Sequence, residues 1–198
     1  DSTLHHLRAE QRAARRELIR FTALDLFAER DFRSVTAREI ARRAGVSPGT
    51  LYLYYDTLDA LFLDVFFAGA GEITQRLDRE LNRNGGCSVA WFCTIYVDFL
   101  NTHMTFYQMM GHFMLGGNIG RDSTERLDPV MRNLLDRVEQ VLPGRDNPGE
   151  RRLMAHALFS ALNGIMITYA RYPGRRAEET RRHTLRLAEI IAQRFETP

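Results

Sequence analysis

Residues Thr36 to Tyr55 read Thr-Ala-Arg-Glu-Ile-Ala-Arg-Arg-Ala-Gly-Val-Ser-Pro-Gly-Thr-Leu-Tyr-Leu-Tyr-Tyr, and no other stretch limits the fold so tightly. Thr36 with Glu39 three positions later is a capping box, so a short helix starts there and runs to about Ala44. Gly45 supplies a sharp turn. Ser47 then caps a second short helix with Pro48 at its first position, where a missing N–H costs nothing, and that helix runs to about Tyr54. Ile40, Ala41, Ala44, Val46 and Leu51 face inward, and the two alanines let the helices cross closely. Ser47, Pro48, Gly49, Thr50, Tyr52 and Tyr54 are left facing out, in the spacing of a helix-turn-helix.

The rest of the chain is punctuated in the same way. Pro and Gly occur in clusters, and between them apolar residues recur every three to four positions rather than alternating, so an all-α fold of about nine helices is expected. A first helix covers roughly residues 9–30, with Ile19, Ala23, Leu26 and Phe27 on one stripe. A long helix runs from Thr57 to about Leu81 and ends at Asn84, Gly85 and Gly86. From Ser88 to Leu100 apolar residues point in nearly every direction, which marks a central helix surrounded by others. A Met-rich and aromatic helix from His103 to Leu115 stops at Gly116, Gly117 and Gly120. Asp128-Pro129 starts the next, or bends it if it begins one turn earlier, and Pro143-Gly144 stops it. Helices from Asn147 to about Arg171 and from about 176 to 195 complete the chain.

At 198 residues with 44% apolar and 26% charged content, the chain can bury a real core and is too short for more than two small domains. No apolar run is long enough to span a bilayer and no secretory leader is visible, so a soluble cytoplasmic protein without a membrane partner is expected. Cys87 and Cys93 point in different directions on a helix and read as free buried thiols. Net charge is only +2, yet residues 1–55 hold ten Arg against seven carboxylates. The basic excess sits at the N-terminal end of the chain.

Small residues on the outward helix allow close approach to base edges, and its hydroxyls reach bases or phosphates, so a DNA major groove is the natural partner. Arg38 is the candidate for a bidentate guanine contact, and Thr36 with the helix N-termini supplies phosphate donors. From Phe27 to Leu61, and above all in Gly45-Val-Ser-Pro-Gly-Thr-Leu-Tyr52, Tyr54-Tyr55 and Ala60-Leu61, the sequence resembles the TetR family of bacterial transcriptional regulators. The resemblance implies that Arg38, Ser47, Pro48, Gly49, Thr50 and Tyr52 lie at base edges and Thr36 and Tyr54 on the DNA backbone. It also implies a DNA-binding domain at residues 1–56, an effector-binding and dimerisation domain at 57–198, and repression as the usual outcome. Two positions depart from the family. Leu58 stands where a phosphate-contacting Lys is usual, with Arg20 or Arg33 as replacements, and Asp31 stands where a Gly is common, adopting a left-handed backbone at some cost.

In the second domain, the aromatic and thioether inventory suits a cavity for a small apolar or aromatic effector. The candidate lining is Phe62, Phe66, Trp91, Phe92, Tyr96 and Phe99, with Tyr107, Met110, Phe113 and Met166, while His103 and Asn163 offer polar groups to orient a ligand. Ala157, Ser160, Ala161, Gly164 and Thr168 form a small-residue stripe with Ile165 alongside. With Leu187, Ala188 and Ile191 they predict a four-helix interface between two copies of the chain. A homodimer of this kind reads half-sites about one helical turn apart. No metal-ligand spacing and no phosphate-cradling loop is present, so neither metal nor cofactor is expected. A DNA-binding protein governed by a protein partner instead of an effector is the alternative, followed by an all-α enzyme with a dispersed site.

Overall fold

Local capping chemistry sets several of the helix starts. The computed structural model describes residues 2–83, 86–115, 121–144 and 147–196. Among the described residues there are nine α-helices and no strand. They are α1 Ser2–Glu29, α2 Ala37–Arg43, α3 Pro48–Tyr52, α4 Leu58–Leu81, α5 Val89–Thr102, α6 Met104–Met114, α7 Arg121–Val141, α8 Pro148–Tyr169 and α9 Ala177–Phe195. Thr36, Ser47 and Asn147 each cap the helix that follows, as their sequence positions predict, and Ser88 caps α5 as well. The glycines expected to end helices at 85, 116, 117 and 120, with Asn84, lie outside the described residues.

Two starts differ from expectation. α1 begins at Ser2 rather than near residue 9. Its first turns carry no apolar stripe, but residues 4–18 contain no breaker and are rich in Leu, Arg, Ala, Glu and Gln, all strong helix formers. α7 begins at Arg121, about two turns ahead of Pro129, which therefore lies inside the helix. Pro129 is exposed, so the carbonyl it leaves unpaired can be hydrated.

The chain divides into two compact units, and the division falls within α4. Asp1–Gly69 and Thr105–Ser123 form the first. Its core takes Ile19, Ala23, Leu26 and Phe27 from α1, Ile40 and Ala41 from α2, Leu51 from α3, and Leu61, Phe62, Val65 and Phe66 from α4. Aromatic rings tie these elements together. Phe62 meets Phe27 at 5.1 Å and Phe32 at 5.5 Å edge to face, while Phe66 stacks on Phe106 of α6 at 5.0 Å.

Gly69 makes the approach of α6 possible, since a Cβ there would fall 2.6 Å from the Phe106 ring. Gly71, two positions on, would meet nothing within 4 Å. Opposite outcomes are expected. Gly71→Ala stabilises the protein by about 1 kcal/mol through helix propensity alone. Gly69→Ala gains the same propensity but must displace a buried ring, at about 1–3 kcal/mol, and so destabilises on balance. Urea unfolding of both variants reads the two signs.

The second unit comprises Ala70–Met104 and Thr124–Pro198. α5 is its centre, burying Val89, Phe92, Cys93, Ile95, Tyr96, Val97, Phe99 and Leu100 against α8 and α9. Burial pushes the Cys93 thiol up to about 12, so it is an inert core group, and Cys87 is half-buried. Asp98 accepts from Arg181 Nε at 2.8 Å, and Asn101 Nδ2 donates to Thr184 Oγ1 at 2.9 Å, tying α5 to α9. Arg137 of α7 donates through Nε and Nη2 to Asp78 of α4 at 2.8 and 2.7 Å, which fixes α7 to the second half of α4.

Candidate nucleic-acid interface

A chain of short contacts holds α2 and α3 in place. The Thr36 N–H donates to Glu39 Oε2 at 3.0 Å and the Glu39 N–H donates to Thr36 Oγ1 at 3.3 Å, completing the predicted capping box. Arg30 Nη2 lies 2.6 Å from Glu39 Oε1. This guanidinium, followed by the Thr36 N–H, lowers the Glu39 carboxyl to about 2, so the box stays charged at any near-neutral pH. α2 ends on Gly45 at φ +67, with Val46 N–H donating to Ala41 O at 2.9 Å and Gly45 N–H to Arg42 O at 3.2 Å. That pair of bonds is a Schellman stop, and it turns the chain into α3.

α3 is pinned from behind. Leu51 is fully buried, and the buried Tyr55 donates its hydroxyl to Asp64 Oδ2 at 2.7 Å while Arg16 Nη2 sits 3.2 Å from the other carboxylate oxygen. Burial first and Asp64 second raise the Tyr55 phenol, keeping it a neutral donor. Tyr54 instead stays half-exposed, with the Arg12 guanidinium 5.9 Å above its ring. The adjacent tyrosines thus divide, one inward and one at the surface.

The outward face matches the one read from sequence. Ser47, Pro48, Gly49 and Tyr52 are exposed and Thr50 is half-buried, with Ser47 Oγ and Thr50 Oγ1 2.9 Å apart. Sequence reasoning missed Leu53, which is 73% exposed beside them. An apolar side chain left in water next to small residues and hydroxyls is suited to thymine methyls and base edges. Thr36 is exposed, but its hydroxyl donates to Glu39 Oε2 at 2.8 Å, so its proton is committed to the cap rather than free for a phosphate.

Charge pairing separates the ten Arg of residues 1–55 into two groups. Arg16, Arg20, Arg30, Arg33 and Arg43 each hold a carboxylate. Arg8, Arg12, Arg15, Arg38 and Arg42 have no acidic partner among the described residues, and all five are exposed. Neither expected replacement for a cation at Leu58 is available. Arg20 is bound to Glu17, and Arg33 folds onto Asp31 with Nη2 2.6 Å from Oδ2. Asp31 also differs from expectation, since its φ is −54 and its Oδ1 accepts from the Arg33 N–H at 3.0 Å. It caps a 3-10 turn, Phe32–Ser34, and no left-handed backbone is needed.

The candidate effector lining is distributed over both units. Phe62, Phe66 and Met110 are buried in the first, with Tyr107 and Phe113 half-buried on α6. Burial raises the Tyr107 phenol to about 12. Phe92, Tyr96, Phe99 and Met166 are core residues of the second. Trp91 departs from the expectation that α5 is covered all round, because it lies on the exposed strip of that helix with Thr94. His103 ends α5, stacks on Phe99 at 3.9 Å and places Nε2 3.1 Å from Glu72. Asn163 accepts from the Tyr96 hydroxyl at 3.3 Å and donates to Phe159 O at 2.8 Å, so both polar candidates already have partners within the chain.

Ala157, Ser160 and Thr168 are exposed and Ala161, Gly164, Leu187 and Ile191 are half-buried, leaving the small-residue stripe accessible. Ile165 and Ala188 are corrections, as both are buried in the chain's own core and cannot meet a second copy. One residue is 100° on a helix, and Ile165 has turned off the stripe of Gly164. In exchange α8 exposes Leu153 and Ile167, each 67% accessible, and α9 exposes Ile190 at 44%.

Residues 19–65 match the family model described as bacterial regulatory proteins, tetR family. Across nearly the whole chain the fold is shared with a solved transcriptional regulator from Rhodococcus sp. Rha1, at 20% identity over 91% of this chain and 95% of that one, with a TM-score of 0.74. A tetR-family transcriptional regulator from Streptomyces coelicolor is 19% identical over 94% of this chain and 90% of its own, with a TM-score of 0.67. The transcriptional regulator FadR from Bacillus subtilis, solved in complex with stearoyl-CoA, is 13% identical over 91% and 97%, with a TM-score of 0.70. Residues 19–65, with this capping and this outward face, are thus similar to the DNA-binding module of the tetR family of bacterial regulatory proteins, and the chain as a whole shares the helical fold of these solved regulators.

Proposed function

We propose that the protein is a cytoplasmic repressor that binds a pseudo-palindromic operator as a homodimer and leaves it when a small, mainly apolar effector binds. Residues 1–56 read the DNA, and residues 57–198 hold the effector and the second copy. The observation that carries this reading is the outward face of α3, where Ser47, Pro48, Gly49 and Tyr52 are exposed above a fully buried Leu51. Arg38 and Arg42, one turn apart on α2 and without acidic partners among the described residues, flank it with charge.

The exposed stripe of α8 supports pairing. Gly164 lies inside a helix, where glycine costs about 1 kcal/mol relative to alanine, and a Cβ there meets nothing in its own chain within 4 Å. A second helix crossing closely at that point explains the residue. For the effector, the Bacillus subtilis FadR in its stearoyl-CoA complex makes long-chain acyl-CoA the first compound class to test. The half-buried Tyr107 and Phe113 of α6 are the foremost candidates to touch it, since they retain accessible surface that Phe66 lacks. Release follows if the effector favours a displaced α4 over the DNA-competent one, because equal affinity for both shifts no population.

Selection of duplexes from a random pool by the wild-type protein, followed by titration of acyl-CoA, tests the whole reading. Enrichment of a two-half-site sequence that an acyl-CoA, through its apolar chain, or a small apolar compound displaces is the expected result. In the same assay Arg38→Ala weakens binding by about 1–3 kcal/mol and relaxes the preference at one base pair per half-site. Equal loss on every sequence would make Arg38 a phosphate contact instead.

A further inference from the structure

Residues 4–18 of α1 are exposed throughout, so about four turns of helix have little of the core packing that stabilises helices. Several charges in this stretch are matched locally: His6 Nε2 lies 3.2 Å from Glu10, Arg16 holds Asp64, and Glu17 holds Arg20. Among the described residues, Arg8, Arg12 and Arg15 have no acidic partner. They recur at i, i+4 and i+7, within a sector of about 60° on the helix, where like charges repel one another. With Gln11, Thr50 and Tyr54 they line a groove of about 830 Å³ in the first unit. Thr50 and Tyr54 belong to the surface assigned above to DNA, so the cationic row borders the reading helix.

We propose that this groove seats the sugar–phosphate backbone of the duplex that α3 enters, with Arg8, Arg12 and Arg15 each meeting a phosphate. The inference rests on the DNA-binding reading. A row of cations rising about 6 Å and then 4.5 Å along the helix suits a polyanion with regularly spaced charges. The arm supplies the backbone anchor that Leu58 does not. Sequence reasoning passed over these residues, although their i, i+4, i+7 spacing was the available signal.

The test compares the wild type with two triple variants, Arg8→Gln/Arg12→Gln/Arg15→Gln and Arg8→Lys/Arg12→Lys/Arg15→Lys, on a duplex selected by the wild type. Anisotropy across a KCl series is expected to show the log–log salt slope falling by about three per protomer in the Gln variant and holding in the Lys variant. Base preference stays unchanged, and amides 4–15 gain protection from exchange only when duplex is present. Melting temperature should not fall in either variant, since these side chains are outside the core and the Gln variant only relieves their mutual repulsion. An unchanged slope in the Gln variant, while the wild type binds its selected duplex, overturns this inference alone. Equal loss in the Lys variant overturns the charge argument. If the wild type selects no duplex, the DNA-binding reading falls and this inference with it. Wild-type binding to phosphatidylglycerol vesicles but not duplex, lost in the Gln variant, would assign the arm to a membrane surface and overturn the proposal.

Discussion

The double variant Leu153→Glu/Ile167→Glu is expected to sediment as a monomer under conditions where the wild type is expected to sediment as a dimer, and to lose about 10²–10⁴-fold in affinity for the selected duplex. Both side chains are 67% exposed on the α8 stripe that contains Gly164. Burying two carboxylates of each copy in an apolar interface has no compensating partner, so association fails. Each reading head then binds alone, and the affinity that linkage had contributed is lost. The fold should survive, because both positions face water within one chain. Sedimentation velocity reads the oligomeric state and far-UV circular dichroism reads the fold. A double variant that still dimerises would move the interface elsewhere and leave Gly164 without a cause.

Phe66→Ala is the second large effect, a loss of about 3–5 kcal/mol in stability. The ring is almost wholly buried, stacks on Phe106 at 5.0 Å and meets Phe113 edge to face at 5.1 Å. Truncation removes burial and leaves a cavity among rings that cannot close in. At about 2–4 °C per kcal/mol for a chain of this size, melting falls by roughly 6–20 °C. Phe66 was also a candidate for the effector lining, and the same experiment separates the roles. A loss below about 1 kcal/mol would mean that the ring borders an existing void rather than a filled core.

The boundaries that sequence revealed well were those with a local chemical cause. Thr36 with Glu39, Gly45, and Ser47 with Pro48 each act on atoms within a few residues, so α2 and α3 start and stop where their side chains dictate. The outward face of α3 followed, because Leu51 fixes which side is buried. The arm of α1 was not legible ahead of about residue 9, since helix formers without an apolar stripe leave no periodic signal. Pro129 misled for a related reason, as a proline suits a first turn and is tolerated deeper only when its face is wet.

On α8 the difficulty was the opposite. Apolar residues occur on every face, so Ile165, Ile167 and Leu153 look alike in sequence, and only the packed structure shows that the first is core while the other two meet water. The effector lining was least legible. Core rings and ligand-contacting rings are the same residue types, and Trp91 turned out exposed while Phe92 and Tyr96 were buried beside it.

Methylation protection of guanine N7 on a duplex selected by the wild type tests most directly whether α3 enters the major groove. The expected result is two protected patches with centres about 34–36 Å apart, both weakened by Arg38→Ala and by bulky replacement of Gly49. Failure to enrich any duplex, or protection that persists unchanged when the outward face of α3 is altered, would contradict it.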